Sequence, residues 1–316
     1  MNSLFKKRSV LSVLYNKFRK STIWYRTLMI LAVVLVCVII YKKLTSKREG
    51  FIQQEKFVEK QGVQVFDGFY VAVYDSLFQK NIKTVYELRS IIGETKLNKK
   101  TLLLDIGSGT GDVVGMLTKK GYPAEGIDQS SAMVKKAEEK YPDSKFEVKD
   151  AMVAMSFPAE SFTHITCLHS TVYYMQDKLT FFNNCYRWLR PGGYFVLHLV
   201  NRKKFNPIVP ASNPLRMVSP QKYAKERITN SYVKFTDCEY KANFDLQTEK
   251  DLAIFKEKFK NDTDGHVRQN VHKLYMPTQK QVLKIAKDAG FIMHSKIDLV
   301  KSGAEYEYLY VLTKPN

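Results

Sequence analysis

An apolar run that ends in an acid, followed at once by three alternating glycines, most constrains the fold of this chain. In LLLDIGSGTGD, residues 102–112, Gly107, Gly109 and Gly111 separate a strand-like run from a helix-like one. Glycine permits a positive φ and lets a ligand lie directly against the backbone. The segment therefore predicts a ligand site at the carboxyl end of the first strand of a parallel sheet.

Strand-like and helix-like runs alternate for about a hundred residues from this point. The strand-like runs are 101–106, 124–128, 145–150, 164–169 and 194–200, and the helix-like runs between them are 112–120, 131–141 and 178–189. A helix at 279–290 and strands at 291–300 and 306–313 resume the pattern. The expected fold class is α/β, a Rossmann-like, doubly wound and mostly parallel sheet of seven strands.

The remaining segments suggest how the chain is organised. We expect a basic amphipathic N-terminus (1–22), a transmembrane helix (23–41), a polar stalk (42–60), N-terminal cap helices (61–100), an α/β core (101–200 and 271–316) and an antiparallel lid insertion (201–270). Three antiparallel strands are expected from 231 to 276, next to the edge where the fifth strand ends. The alternative for the insertion is a surface embellishment away from the site.

The N-terminal fifty residues carry most of the excess positive charge. The formal net charge is +19, yet residues 1–48 hold eleven Lys and Arg and no acid, which leaves +8 for the rest. This distribution favours an anionic membrane surface over nucleic acid as a partner. The uncharged run 28–41 covers about 21 Å as a helix, and adding 23–25 lets Arg26 snorkel at one end of a single-pass span. A cleaved signal or transit segment is the alternative.

Two acids at strand ends indicate the class of ligand. Asp128 lies twenty-one residues after Gly107, where a carboxylate can accept both hydroxyls of a ribose. Asp150 closes the third strand and can accept a hydrogen bond from the exocyclic amine of adenine. The glycines are spaced G-x-G-x-G rather than G-x-G-x-x-G, and Asp112 would repel a pyrophosphate in the first helical turn. An adenosine-containing cofactor other than a dinucleotide is therefore expected.

Four segments together resemble a known family. LLLDIGSGTGD, GIDQS, KFEVKDA and LRPGGYFVLH, in this order, closely resemble the four motifs of class I S-adenosylmethionine-dependent methyltransferases, in particular their small-molecule branch. The likeness runs from about Tyr74 to the last strand and is weakest over 201–270. It implies S-adenosyl-L-methionine as the cofactor, with the loop around the methionine part, Asp128 on the ribose and Asp150 at the adenine. The cofactor-binding residues that it implies are Tyr74 (or Tyr70), Asp105, Gly107, Ser108, Gly109, Gly111, Asp128, Gln129, Asp150, Ala151 and Leu168.

Methyl transfer requires an aligned acceptor, exclusion of water and, for some acceptors, removal of a proton. At the end of the fourth strand the segment LHSTVYY, residues 168–174, offers His169 and Tyr173 as candidate catalytic residues. His169 is either a base near neutral pH or a hydrogen-bonded wall of the cofactor pocket. His198 lies among apolar neighbours and is expected to be a hydrogen-bonded core histidine. No clustered ligands indicate a metal site.

The predicted function is a membrane-anchored methyltransferase that uses S-adenosyl-L-methionine and acts on a small-molecule or lipid-type acceptor. The end of the fourth strand lacks the sequence Asn/Asp-Pro-Pro-Tyr/Phe, and this absence argues against nucleic-acid bases as the substrate. A non-enzymatic scaffold and an NAD(P)-dependent oxidoreductase are the alternatives. The charge bias at the span places the catalytic domain outside the cytosol, but the cytosolic supply of the cofactor and the cysteines without a disulfide pattern favour the cytosol. We expect the cytosolic side.

Overall fold

The computed structural model describes residues 18–45, 54–78, 81–213 and 219–316 of the 316-residue chain. The chain divides into two compact units, Met1–Gly50 and Phe51–Asn316. Residues 1–17 of the predicted amphipathic N-terminus and residues 46–53 of the predicted stalk lie outside the described residues.

The N-terminal unit contains helix α1 (Ile23–Thr45). Apolar side chains along it are exposed, including Trp24 and Leu31. Among the residues that the structure describes, no helix is both long and apolar enough to cross a membrane. The predicted transmembrane helix at 23–41 is therefore not supported.

In its described residues, the second unit is built from two sheets and six further α-helices. In chain order the strands are β1 (Phe57–Gln61), β2 (Leu103–Ile106), β3 (Ala124–Asp128), β4 (Lys145–Val148), β5 (Phe162–Cys167), β6 (Leu189–Val200), β7 (Asn230–Lys234), β8 (Cys238–Gln247), β9 (Leu252–Asn261), β10 (Val267–Tyr275), β11 (Ile292–Asp298) and β12 (Glu307–Thr313). The helices are α2 (Gly68–Phe78), α3 (Asn81–Thr95), α4 (Asp112–Lys119), α5 (Ser131–Lys140), α6 (Lys178–Trp188) and α7 (Gln279–Asp288).

The larger sheet confirms the predicted doubly wound fold. Its seven strands follow the order β11-β12-β6-β5-β2-β3-β4, and only β12 runs antiparallel to its neighbours. Helices cover both faces of this sheet, as the alternate residues of β12 show by packing into two different cores. Leu309 and Val311 pack with α3 and α4, whereas Tyr310 and Leu312 pack with α6 and α7. Side-chain caps on Ser130 and Asp177 fix where α5 and α6 begin.

The smaller sheet differs from the prediction. It has five strands in the order β1-β10-β9-β8-β7, with β1 parallel to β10 and the other pairs antiparallel. The first predicted strand splits into β7 and β8, because the chain turns where Phe235 N–H donates to the Cys238 carbonyl at 2.9 Å. β1 comes from the end of the predicted stalk, so the stalk does not extend to residue 60. Tyr240 and Phe259 of this sheet pack with Val71 and Leu77 of α2.

Candidate cofactor and acceptor site

The glycine loop between β2 and α4 has one position that faces open space. Gly109 has a φ of +55°, and a Cβ placed on it would meet nothing within 4 Å. By contrast, a Cβ on Gly111 would lie 2.6 Å from the Phe146 ring, and one on Gly107 would meet Thr171. Gly107 and Gly111 therefore pack against protein, and Gly109 is the glycine over which a ligand could lie against the backbone.

Asp128 holds this loop from the end of β3. Its Oδ2 accepts a hydrogen bond from Gly109 N–H at 3.0 Å, and its Oδ1 accepts one from Ser130 N–H at 2.9 Å. A carboxylate oxygen has more than one acceptor site, so the half-buried Asp128 can still accept from a ribose placed above Gly109. The predicted cradle and the predicted acid therefore meet at one point.

The other predicted cofactor residues surround this point in different environments. Asp150 follows β4, the neighbour of β3, and its Oδ1 accepts from Met152 N–H at 2.8 Å. Asp105 is buried beneath the loop, where Thr166 Oγ1 donates to it at 2.7 Å. The rest are placed as follows: Ala151 and Leu168 are buried, Ser108 and Tyr74 are half-buried, and Gln129 is exposed.

Asp112 does not have the role expected from the sequence. Its carboxylate accepts from the Tyr141 hydroxyl at 2.7 Å and pairs with Lys140 Nζ at 2.8 Å. Lys140 also binds Asp75 of α2, at 2.7 Å. The predicted repulsion of a pyrophosphate by Asp112 is therefore wrong, because a buried and compensated carboxylate presents little charge to the loop.

The backbone that follows β5 is strained, and its residues form hydrogen bonds with a buried network of charged side chains. His169 and Ser170 are both left-handed, with φ values of 49° and 68°. His169 Nε2 lies 2.9 Å from Glu87 Oε2 of α3, which favours the wall of the pocket without deciding its catalytic role. His198 is a hydrogen-bonded core histidine, as predicted: Nδ1 accepts from Ser170 N–H at 2.9 Å and Nε2 lies 3.0 Å from Glu307.

Glu307 of β12 is the acidic centre of this network. Burial alone would raise the pKa of its carboxyl, but the charge of Lys83 and the hydrogen bond with His198 lower that pKa to about 2. Lys83 of α3 also lies near Glu87. The network therefore joins α3 to the ends of β5 and β6 beside the loop.

The two neighbouring tyrosines after β5 lie in different environments. Tyr173 is fully buried, and its hydroxyl accepts from Val200 N–H at 3.0 Å inside the core. A hydroxyl enclosed in this way cannot reach an acceptor, so the structure contradicts a catalytic role for Tyr173. Tyr174 is 39% exposed, and its hydroxyl lies 2.9 Å from His272 Nδ1 of β10.

Sequence reasoning missed His272 and its partner Glu257 on β9. Both are buried, and His272 Nε2 lies 2.8 Å from Glu257 Oε2. The sequence did contain an indication of Glu257. The buried side of β9 carries Ala253, Glu257 and Phe259, and a charged residue at a buried strand position is unusual. In the described part of the chain, no group of three or more His, Cys, Asp or Glu side chains could hold a metal ion.

The comparisons with known proteins agree with this geometry. Residues 104–197 match the family described as "Methyltransferase domain". The chain is similar to phosphoethanolamine N-methyltransferase of Plasmodium falciparum, with 30% identity over 135 residues, which are 40% of this chain and 50% of that protein. It is also similar to ubiquinone biosynthesis O-methyltransferase of Paracidovorax citrulli, with 30% identity over 106 residues, which are 32% of this chain and 44% of that protein. The chain thus spans about half the length of the curated relatives it matches.

A solved structure extends the likeness beyond the matched segment. The CcbJ methyltransferase of Streptomyces caelestis superimposes with a TM-score of 0.61 at 14% identity, covering 81% of this chain and all of that one. An identity this low shows the fold alone. Together with the family match, it shows that residues 104–197 lie within a fold of the methyltransferase-domain type.

Proposed function

We propose that this protein is an S-adenosylmethionine-dependent methyltransferase that acts on a small-molecule or lipid-type acceptor. The observation that carries the proposal is the open space over Gly109, bordered by the Asp128 carboxylate, within a methyltransferase domain. S-adenosylmethionine would supply an electrophilic methyl group on a sulfonium. The task of the chain is to hold the donor, orient the acceptor and exclude water.

Named residues can perform the binding part of this task. Gly109 would let the donor lie against the backbone, and Asp128 would accept from its ribose hydroxyls. Asp150, at the end of the next strand, is placed for the adenine amine. Tyr74 on α2 is half-buried and packs against Phe78 at 4.7 Å between ring centroids, and we assign it to the cover of the same site.

The smaller sheet is proposed to cover the acceptor. His272 of β10 contacts Tyr174 directly after β5, which places this sheet at the carboxyl edge of the larger one. Two similar proteins are named for transfer to an amine and for an O-methylation in ubiquinone biosynthesis. We therefore propose an acceptor whose nucleophile is an amine or a hydroxyl.

We also propose that the N-terminal unit associates with a membrane surface, with the catalytic domain on the cytosolic side. The support is the exposed apolar surface of α1, with Trp24 and Tyr25 near one end and Lys42 and Lys43 near the other. Flotation of the full chain with vesicles containing phosphatidylserine tests the association. Protection of the catalytic domain from external protease in sealed vesicles would contradict the cytosolic side.

The activity is tested with methyl-labelled S-adenosylmethionine and the full chain. The acceptors offered separately are phosphoethanolamine, a polyprenylated phenol and a membrane lipid extract. The proposal expects label in one of these acceptors, and none when Asp128 is replaced by Ala. Cofactor binding without label in any acceptor or extract fraction would indicate a scaffold that has lost turnover.

A further inference from the structure

A buried carboxylate, a histidine and an exposed tyrosine form a hydrogen-bonded chain that ends at the proposed acceptor site. Glu257 is fully buried, His272 is 3% exposed and Tyr174 is 39% exposed. The two links are Glu257 Oε2 to His272 Nε2 at 2.8 Å and His272 Nδ1 to the Tyr174 hydroxyl at 2.9 Å.

The partners of Glu257 fix the direction of every proton in this chain. Its Oε1 accepts from the hydroxyls of Tyr240 and Tyr70 at 2.7 and 3.0 Å, and its Oε2 accepts from Asn270 Nδ2 at 3.2 Å. Burial would raise the pKa of Glu257, but His272 and these donors lower it, so the carboxylate is ionised and only accepts. His272 must then carry its proton on Nε2, which leaves Nδ1 as the acceptor of the Tyr174 hydroxyl proton.

The outer end of the chain lies beside the glycine loop. Tyr174 closes the turn Thr171–Tyr174, and Thr171 packs against Gly107 so tightly that a Cβ on Gly107 would lie 2.4 Å from its methyl carbon. Burial first, and then Tyr74, Glu257 and Asp128, raise the pKa of the Tyr174 phenol. The phenol is therefore protonated at neutral pH and within electrostatic reach of the carboxylate assigned to the ribose.

We propose that Tyr174, His272 and Glu257 form a proton relay that deprotonates the nucleophilic N–H or O–H of the methyl acceptor. The proposal rests on the methyltransferase function proposed above. The acceptor N–H or O–H bond breaks and an O–H bond forms on Tyr174, while the original Tyr174 proton moves to His272 Nδ1. Glu257 would stabilise the imidazolium, and the freed electron pair of the acceptor would form the new bond to the methyl carbon as the carbon–sulfur bond of the donor breaks and its electrons stay on the neutral thioether. Tyr174 is the catalytic residue. His272 accepts the Tyr174 proton, and Glu257 positions His272 and stabilises its charge.

Substitutions in the full chain test the relay by activity. Tyr174→Phe keeps the ring and removes the hydroxyl. The matched control is Tyr232→Phe, at an exposed tyrosine of β7 in the smaller sheet. With phosphoethanolamine, or the acceptor that turns over, Tyr174→Phe should lower kcat by about 100-fold or more and leave the Kd of S-adenosylmethionine unchanged. The pH profile of kcat should differ between Tyr174→Phe and the control, because only the control keeps the relay. A Tyr174→Phe enzyme with the kcat and pH profile of the control would overturn the relay.

A measurement without turnover separates this proposal from the proposed function. Nitrogen-15 NMR of labelled histidines, with His272 assigned by the signal lost in His272→Gln, reports which ring nitrogen holds the proton. The relay predicts a proton on Nε2 and an Nδ1 signal that moves in Tyr174→Phe. A proton on Nδ1, or an Nδ1 signal unaffected by Tyr174→Phe, would overturn the relay even if methyl transfer is found. Absence of methyl transfer with the predicted NMR result would overturn only the function.

Discussion

Replacing Asp128 by Asn should weaken cofactor binding much more than it weakens the fold. The carboxylate accepts from Gly109 N–H and Ser130 N–H, and in the proposed complex it also accepts from the ribose. The Asn amide keeps one oxygen, but its NH₂ group faces a backbone donor where Asp128 presented an acceptor. The loop therefore loses one of its two anchors, and the ribose loses a charged acceptor.

The size of this effect follows from the strength of such bonds. A hydrogen bond to a charged group contributes about 1.5–3 kcal/mol, so losing the charge at the ribose should raise the Kd for S-adenosylmethionine by roughly 10- to 150-fold. Calorimetric titration of the full chain measures it, with Asp143→Asn, at an exposed aspartate, as the control. If Asp128→Asn and Asp143→Asn bind the cofactor equally well, the assignment of Asp128 to the ribose is wrong.

Two further substitutions separate binding from stability. Gly109→Ala and Gly111→Ala share the cost of a left-handed alanine. Gly109→Ala should abolish cofactor binding and lose no stability beyond that shared cost. Gly111→Ala should lose about 2 kcal/mol or more of unfolding free energy in addition, because its Cβ clashes with Phe146, and urea denaturation measures the difference. Equal stability losses for the two would contradict this. For Glu307, a folded pKa of about 2 against 4.5 means that its stabilisation, about 3 kcal/mol, is complete above pH 4.5 and disappears as the pH falls to 2. Glu307→Gln should flatten the pH dependence of urea unfolding in this window, and an unchanged slope would show that the ion pairs contribute nothing.

The alternating half of the fold could be predicted because its signals are local. All four residues of β2 are buried and three of them are apolar, and the caps of α5 and α6 are one residue away from the helices that they start. The smaller sheet could not be predicted in the same way. Its parallel pair joins Phe57 to Val267, more than two hundred residues apart. Nothing in the polar sequence around Phe57 indicates that partner.

In the candidate site too, the locally encoded features could be predicted from the sequence and those that depend on distant partners could not. The glycine loop and Asp128 could be singled out because each forms a local motif, and the structure joins them through the hydrogen bond from Gly109 N–H to Asp128. The choice between Tyr173 and Tyr174 could not be made, because a turn that begins at the left-handed Ser170 decides which ring enters the core. The role of Asp112 depended on Lys140, a partner on another helix.

The most direct test of the account is a pair of calorimetric titrations of the full chain, one with S-adenosylhomocysteine and one with NAD. The account predicts saturable binding of S-adenosylhomocysteine that is lost in Gly109→Ala, and no binding of NAD. Binding of NAD but not of S-adenosylhomocysteine, or binding of S-adenosylhomocysteine that is indifferent to Gly109→Ala, would contradict the claim that this loop holds a sulfonium-type methyl donor.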